Sequence, residues 1–114
     1  MVAAPGARFE NFLAVQLQRA IAAWNEQGVG SFRLHYLRTK DGAEADFAIA
    51  DRHQVRLLVE AKEADTALDP RLAGLQAKVQ APVAIQVVNR AGVCVQKGKG
   101  LYVMGADRFL TLLP

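Results

Sequence analysis

Two acidic residues and a lysine lie in two stretches of alternating polar and apolar residues near the middle of the chain. Asp46 lies in the first stretch, and Glu60 and Lys62 lie in the second. Residues that alternate in this way form strands whose successive side chains point to opposite faces of a sheet. If the two strands form a hairpin that is symmetric about His53, Asp46 faces Glu60, and Lys62 projects from the same face. The symmetry therefore predicts a cluster of two carboxylates and one amine.

The predicted register has further consequences that a structure can test. Ala48 should lie opposite Leu58, and Ala50 should lie opposite Arg56. A slip of one residue would turn one of the two acids to the other face of the sheet, and bulges near turns can cause such slips. The proposed site therefore depends on the pairing of these two strands.

The cluster suggests a particular chemistry. Two carboxylates about 5 Å apart repel each other by on the order of 3 kcal/mol at an effective dielectric constant of about 20. A hard divalent cation, Mg²⁺ or Mn²⁺, would relieve this repulsion and also bind phosphate oxygens and water. Lys62 would orient or help to deprotonate the attacking water and stabilise charge on the phosphate. The alternative is a ladder of salt bridges on an exposed face.

Apolar spacing and turn residues predict the elements that position these side chains. A helix is expected from Arg8 to about Glu26, and Lys40-Asp41-Gly42 predicts a turn. A second amphipathic helix, with Leu68, Leu72, Leu75 and Val79 on its buried side, follows the central strands and ends before Pro82. Strands are expected at 32–39, 44–51, 55–62 and 82–89, and short terminal strands at 93–96 and 101–104 precede a last short helix at 106–113.

Composition limits the class of protein. The chain has 114 residues, of which 52% are hydrophobic and 22% charged, so we expect one globular α/β domain over residues 1–114 with its core at about 8–104. A net charge of +3 favours a polyanionic partner only weakly. One cysteine, Cys94, cannot form an internal disulfide, and no apolar run approaches the ~20 residues that span a membrane. We therefore expect a cytoplasmic protein without membrane contact, and Cys94 buried in a strand.

The same residues carry a family resemblance. Asp46 followed by Val59-Glu60-Ala61-Lys62 resembles the D…(D/E)-x-K signature of the PD-(D/E)xK nuclease superfamily, whose core order is α-β-β-β-α-β, as predicted here. More narrowly, the chain is similar to the uncharacterised C-terminal domain that follows the ATPase module of prokaryotic AAA-type ATPases. That similarity rests on the strings Phe9-Glu10-Asn11-Phe12, Tyr36-Leu37-Arg38-Thr39, Asp41-Gly42-Ala43-Glu44-Ala45-Asp46-Phe47 and Leu58-Val59-Glu60-Ala61-Lys62.

The resemblance implies a restriction-endonuclease-like fold: a mixed sheet flanked by helices, with short terminal strands added. It also implies a metal-dependent nuclease that acts on DNA with Mg²⁺ or Mn²⁺, Glu10 on the first helix joining Asp46 and Glu60 as a metal ligand. Nucleic-acid contacts would come from Arg38 and from Gln76 and Lys78 on the second helix. Each has a simpler reading: Glu10 as a helix-start acid, Arg38 as an ion-pair partner of Glu44, Gln76 and Lys78 as solvated helix residues.

The chain departs from the family pattern in two respects. Ala45, rather than the common proline, precedes Asp46, and no phosphate-binding loop of the ATPase type is present, so the ATPase module is absent. A second hypothesis is therefore a catalytically inactive nuclease-fold domain that binds nucleic acid or a protein partner in an ATPase system. A third is a defence component whose partner is another protein. An exposed edge strand after Gly98 would offer a surface for pairing between chains.

Overall fold

A computed structural model describes residues 5–38 and 44–114, with side chains described for 6–37 and 45–114. The predicted order of elements is confirmed, whereas the predicted turn at Lys40-Asp41-Gly42 lies outside the described residues. The elements are α1 (Pro5–Glu26), β1 (Arg33–Arg38), β2 (Glu44–Ala50), β3 (Val55–Lys62), α2 (Pro70–Val79), β4 (Val83–Val88), β5 (Cys94–Gly98), β6 (Leu101–Gly105) and α3 (Ala106–Leu110).

The described strands form one six-stranded mixed sheet in the order β1-β2-β3-β4-β6-β5. The first three strands are antiparallel, β3, β4 and β6 run parallel, and β5 returns antiparallel to β6. Parallel β3 and β4 need a crossover connection, which α2 supplies. The chain is therefore an α/β protein, as the alternation of elements predicts.

The two longer helices cover opposite faces of this sheet. On one face, here the α1 face, Leu13 and Leu17 of α1 pack against Phe47 and Val59. On the other, here the α2 face, Leu72 and Leu75 of α2 pack against Ala48 and Leu58, among others. The side chains of β2 and β3 thus alternate between two separate apolar clusters, one on each face of the sheet. Burial in both clusters fixes the register of the two strands.

A bulge interrupts β2 beside the predicted site. Between His35 and Leu37 β1 advances two residues, while the paired β2 advances three, from Ala48 to Ala45. The extra residue lies in the Asp46–Phe47 segment, where a bulge changes the direction of the side chains. Strict alternation along β2 predicts that Ala45 shares a face with Phe47. That prediction is wrong, because Ala45 packs with Ala48 on the α2 face.

The second helix begins at a defined cap. Asp69 is extended, its carboxylate accepts a hydrogen bond from the Arg71 backbone N–H at 3.0 Å, and Pro70 occupies the first helical position. This combination is favoured at helix starts because the proline needs no partner for an N–H there. Leu68, which was predicted to lie on this helix, precedes it and packs against the same α2-face cluster.

The edge formed by β5 differs from the prediction. All five residues of β5 are exposed, including Cys94, which was expected to be buried. The prediction of an edge strand after Gly98 is also wrong, because β6 lies inside the sheet and β5 forms its edge. No helix in the described part of the chain is long and apolar enough to cross a membrane.

Candidate functional site

Asp46 and Glu60 meet through their side chains. The pairing of β2 with β3 runs from Phe47 opposite Val59 through Ala48 opposite Leu58, as predicted. Beyond Phe47 the Asp46 carboxylate replaces the strand backbone as hydrogen-bond acceptor and receives the Ala61 N–H at 2.7 Å. The two carboxyl groups are hydrogen bonded to each other. The bulge thus holds Asp46 against the end of β3 that carries Glu60.

The turn end of the hairpin departs from the predicted register. Ala50 pairs with Val55, whereas perfect symmetry placed it opposite Arg56, because the register shifts between Ile49 and Ala50. The shift lies on the turn side of Ala48, so it leaves the region of the acid pair unchanged. The prediction for Ala50 is wrong without affecting the predicted meeting of the two acids.

The acid pair holds a proton. Burial of the side chain, its hydrogen bond to Asp46 and repulsion from the Asp46 carboxyl raise the pKa of Glu60 to about 8, although the nearby Lys62 acts in the opposite direction. Two adjacent carboxyl groups cannot both ionise at low cost unless a cation lies near them. At neutral pH Glu60 is therefore a hydrogen-bond donor. Its proton relieves the repulsion between the two carboxyl groups, as a bound cation would.

Lys62 lies beside the pair but is engaged elsewhere. Its Nζ lies 3.3 Å from Oδ2 of Asp69, the residue that caps α2. Asp69 also binds the Arg71 guanidinium at 2.8 Å. The Arg71 side chain is the main cause of a pKa of Asp69 well below its usual range, and the Lys62 amine adds to the effect. Sequence reasoning missed Asp69 as a partner of Lys62, although Asp69-Pro70 was a readable helix-start signal.

Gln86 fixes the loop that carries Asp69. It pairs with Glu60 across β3 and β4 and is fully buried. Its amide oxygen accepts the Asp69 N–H at 2.9 Å, and its amide nitrogen donates to the carbonyls of Asp65 at 3.2 Å and Ala67 at 2.9 Å. A buried amide is stable only when its hydrogen bonds are made. A glutamine in an otherwise apolar strand indicates a buried side chain with hydrogen-bond partners, and this signal in the sequence was missed.

The other predicted site residues lie on the two longer helices and on β1. Glu10 is on α1, which covers the face opposite α2. Across the residues that the structure describes, no three Asp, Glu, His or Cys side chains are grouped as a metal would require. Gln76 donates to the carbonyls of Lys99 and Gly100 and so supports the β5–β6 turn. Lys78 is exposed on the last turn of α2.

Arg38 lies partly outside what the structure describes. Its backbone ends β1 opposite Glu44, as the ion-pair alternative requires, but the side chains of both residues lie outside the described set. Its predicted contact with nucleic acid therefore stays a prediction.

The donor set suits one class of metal. Two carboxylates with an amine nearby match the way Mg²⁺ is commonly bound, through one or two carboxylates with waters and substrate phosphates completing the coordination. A structural zinc site would need four nitrogen or sulfur ligands, and the pair offers oxygen alone. Asp46 and Glu60 are therefore the residues that could hold such a cation.

Two adjoining clefts lie at the other end of the hairpin, where no site was predicted. Their volumes are about 500 and 450 Å³, and both are lined by the segment after α1 and the β2–β3 turn. Their charged lining residues are Arg33, His35, Asp51, Arg52, His53 and Arg56. We call the two clefts together the basic cleft. Arg33 and His35 alternate along β1, a period-two signal that was present in the sequence.

Comparison of the chain with protein-family models, with curated proteins and with solved structures finds no match. The geometry and chemistry of the site itself are therefore the basis for assigning a function.

Proposed function

We propose that this domain is a divalent-metal-dependent nuclease module of the PD-(D/E)xK type, with a restriction-endonuclease-like fold, that hydrolyses phosphodiester bonds of DNA. The observation that carries the proposal is the contact between Asp46 and Glu60, together with the raised pKa of Glu60. A shifted pKa with a specific charged partner is typical of functional sites. Lys62, two residues along the strand, completes the set.

Each residue has a separate task in this proposal. Asp46 and Glu60 hold the cation, and the Ala61 N–H keeps the Asp46 carboxylate oriented toward the pair. A divalent cation bound there supplies a Lewis acid for the phosphate and promotes ionisation of the attacking water. Lys62 donates hydrogen bonds to the phosphate or the water, which requires its amine to leave Asp69 or to be shared with it.

The Lys62 amine has two positions in this proposal, one at Asp69 and one at the phosphate or the water. An exposed Arg71 retains its ion pair with Asp69 when Lys62 turns away, so the carboxylate that Lys62 leaves does not lose its only cation. The cost of moving the amine toward substrate is therefore small, which is compatible with a working lysine.

A plasmid-nicking assay with Mg²⁺ or Mn²⁺ tests the proposal. Wild-type protein should convert supercoiled DNA to open circles, and Lys62→Ala should be slower by about 10² to 10⁴, the range for loss of an acid–base group. Asp46→Asn should be equally impaired, whereas Lys97→Ala, an exposed lysine on β5, should match wild type. Absence of nicking by wild type with either metal, or nicking by all four proteins alike, would contradict the proposal.

A second candidate is a catalytically inactive nuclease-fold domain that binds nucleic acid or a protein partner in an AAA-type ATPase system. The observation that favours it is that the network is satisfied without a metal. A proton bridges the acids, and Asp69 already pairs with Lys62. This candidate predicts no nicking by wild type under any metal condition, combined with DNA binding that weakens steeply as salt rises.

A further inference from the structure

The basic cleft is built from two loops that are each held in place. On one wall, the Asn25 side chain bonds both backbone groups of Phe32, at 2.8 and 3.0 Å, and the Phe32 ring meets Trp24 edge to face. On the other wall, the Asp51 carboxylate accepts the backbone N–H groups of His53 at 2.8 Å and Gln54 at 3.0 Å. The cleft is therefore formed before any ligand arrives, which lowers the entropy cost of binding.

The charges in the cleft are not balanced. Asp51 is the one carboxylate in the lining of the two clefts, and it is already bound to Arg56 at 2.7 Å. Arg33 and Arg52 are exposed and make no ion pair with a residue that the structure describes. His35 and His53 add ring N–H donors. Guanidinium groups suit planar, bidentate contacts with phosphate oxygens, so the cleft offers an excess of the groups that bind phosphate.

Arg33 and His35 project from the face of the sheet that carries Glu60, whereas Phe32 and Arg56, on the other wall of the cleft, lie beside residues of the α1 face. Arg33 is paired with Ala50 and His35 with Ala48, and directly paired residues project from one face. Ala48 is paired with Leu58, and Glu60 follows Leu58 by two residues, so it shares that face. Along β2, Asp46 and Ala50, the partner of Arg33, are four residues apart, which is about 13 Å at ~3.3 Å per residue. One polymer of repeating phosphates can therefore contact both the cleft and the acid pair.

We propose that the basic cleft binds the sugar–phosphate backbone of a nucleic acid strand through Arg33 and Arg52, at a distance of a few nucleotides from the acid pair. The inference rests on the proposed function for the identity of the polymer, and the cleft itself does no chemistry. The guanidinium groups of Arg33 and Arg52, which form no ion pair with a described residue, supply affinity without reading sequence, because phosphate contacts position a nucleic acid and base contacts specify it.

Fluorescence anisotropy with a labelled DNA duplex of about 20 base pairs tests this inference. The buffer contains EDTA, which removes divalent cations, so that the assay measures binding without metal at the acid pair. The variant Arg33→Ala/Arg52→Ala should bind at least about tenfold more weakly at low salt. The slope of log Kd against log salt concentration should fall by about 2, because each phosphate contact contributes ~0.9. Arg33→Lys/Arg52→Lys should retain most of the slope, since it keeps the charge.

Lys97→Ala/Lys99→Ala removes the same charge from the exposed β5–β6 region and is the matched control. It should bind within about twofold of wild type and keep the salt slope. Inorganic phosphate should displace the duplex only at far higher phosphate concentration than unlabelled duplex does.

Three results would overturn the inference: no binding by wild type, an unchanged salt slope in Arg33→Ala/Arg52→Ala, or an equal loss in the control pair. Displacement by inorganic phosphate at equal phosphate concentration would assign the cleft to a small anion and overturn the polymer assignment. The nicking assay is separate, since absent nicking with intact, arginine-dependent binding rejects the nuclease and leaves the cleft.

Discussion

The β2–β3 hairpin carries acids at both ends, and the two ends handle them in opposite ways. At the turn, Asp51 is surrounded by donors, and the backbone N–H groups of Gln54 and His53, with Arg56, lower its pKa to about 2. At the far end, Glu60 is buried beside another acid, and its pKa is raised to about 8. The first acid is stabilised in its charged form by the fold. The second is held in its neutral form until something cationic replaces the proton.

Under the proposed function, this difference separates a structural carboxylate from one used in chemistry. Asp51 builds a turn with bonds that leave nothing for a ligand to complete. Glu60 is placed where its ionised form is disfavoured, a cost that a folded protein retains only when another feature compensates for it or function requires it. The contrast favours the acid pair as the site of chemistry and the turn as a scaffold for binding.

The largest expected effect concerns Glu60 and pH. Folded protein keeps a proton on Glu60 that the unfolded chain loses near pH 4.5. The free energy of unfolding should therefore fall as pH rises from about 5 to about 8 and level off above, by about 1 to 2 kcal/mol because solvent screening of this partly exposed group reduces the full effect. Glu60→Gln should remove most of this decline in urea unfolding measured across that range.

Glu63→Gln is the matched control, because Glu63 follows β3 closely and forms an exposed hydrogen bond with Asn89. It should retain the wild-type decline. A flat wild-type profile, or the same decline in Glu60→Gln, would remove the contrast between the two ends of the hairpin.

A smaller effect is expected at Asp69. Asp69→Ala removes the helix cap and should lower the free energy of unfolding by about 1 kcal/mol. Asp69→Asn keeps a capping oxygen but not the charge, so it should recover most of that loss while still releasing Lys62. Chemical denaturation of both variants measures the difference. Equal destabilisation by Ala and Asn would show that the ion pairs with Lys62 and Arg71 outweigh the cap.

The smallest effect is expected at the turn, and it has the opposite pH dependence. Because the pKa of Asp51 is lowered, its stabilising contribution is present above pH 4 and is lost as the pH falls toward 2. Asp51→Asn should therefore melt slightly below wild type at neutral pH and approach it in acid. Melting temperatures of the two proteins across the acid range check this. A gap that widens in acid would show that the Asp51 charge does not support the turn.

Features that depend on periodicity were predictable from the sequence. The bounds of β3, Val55–Lys62, are those predicted, because eight alternating residues leave little choice of strand or face. The acid pair was reached by assuming a symmetric hairpin, and Phe47 to Ile49 follow that register. Local pattern was sufficient wherever each residue's environment is set by its own strand.

What was missed depends on contacts between distant segments. The bulge at Asp46–Phe47, which reverses Ala45, arises from pairing with β1 and has no glycine to signal it. The basic cleft joins a loop near Ser31 to a turn near Arg52, and no motif connects them. Exposure of Cys94 follows from β5 lying at the sheet edge, which a string of short strands does not reveal.

Thermal melting with and without Mn²⁺, at a pH of about 8.5, above the pKa of Glu60, tests the central claim that Asp46 and Glu60 bind a divalent cation. At 100 times its Kd the metal should add about 2.7 kcal/mol, which raises Tm by about 10 °C for a domain of this size. The rise should vanish in Asp46→Asn, whose amide can still accept the Ala61 N–H, and persist in Asp51→Asn. No rise in the wild type at millimolar Mn²⁺, or an equal rise in Asp46→Asn, would contradict the account.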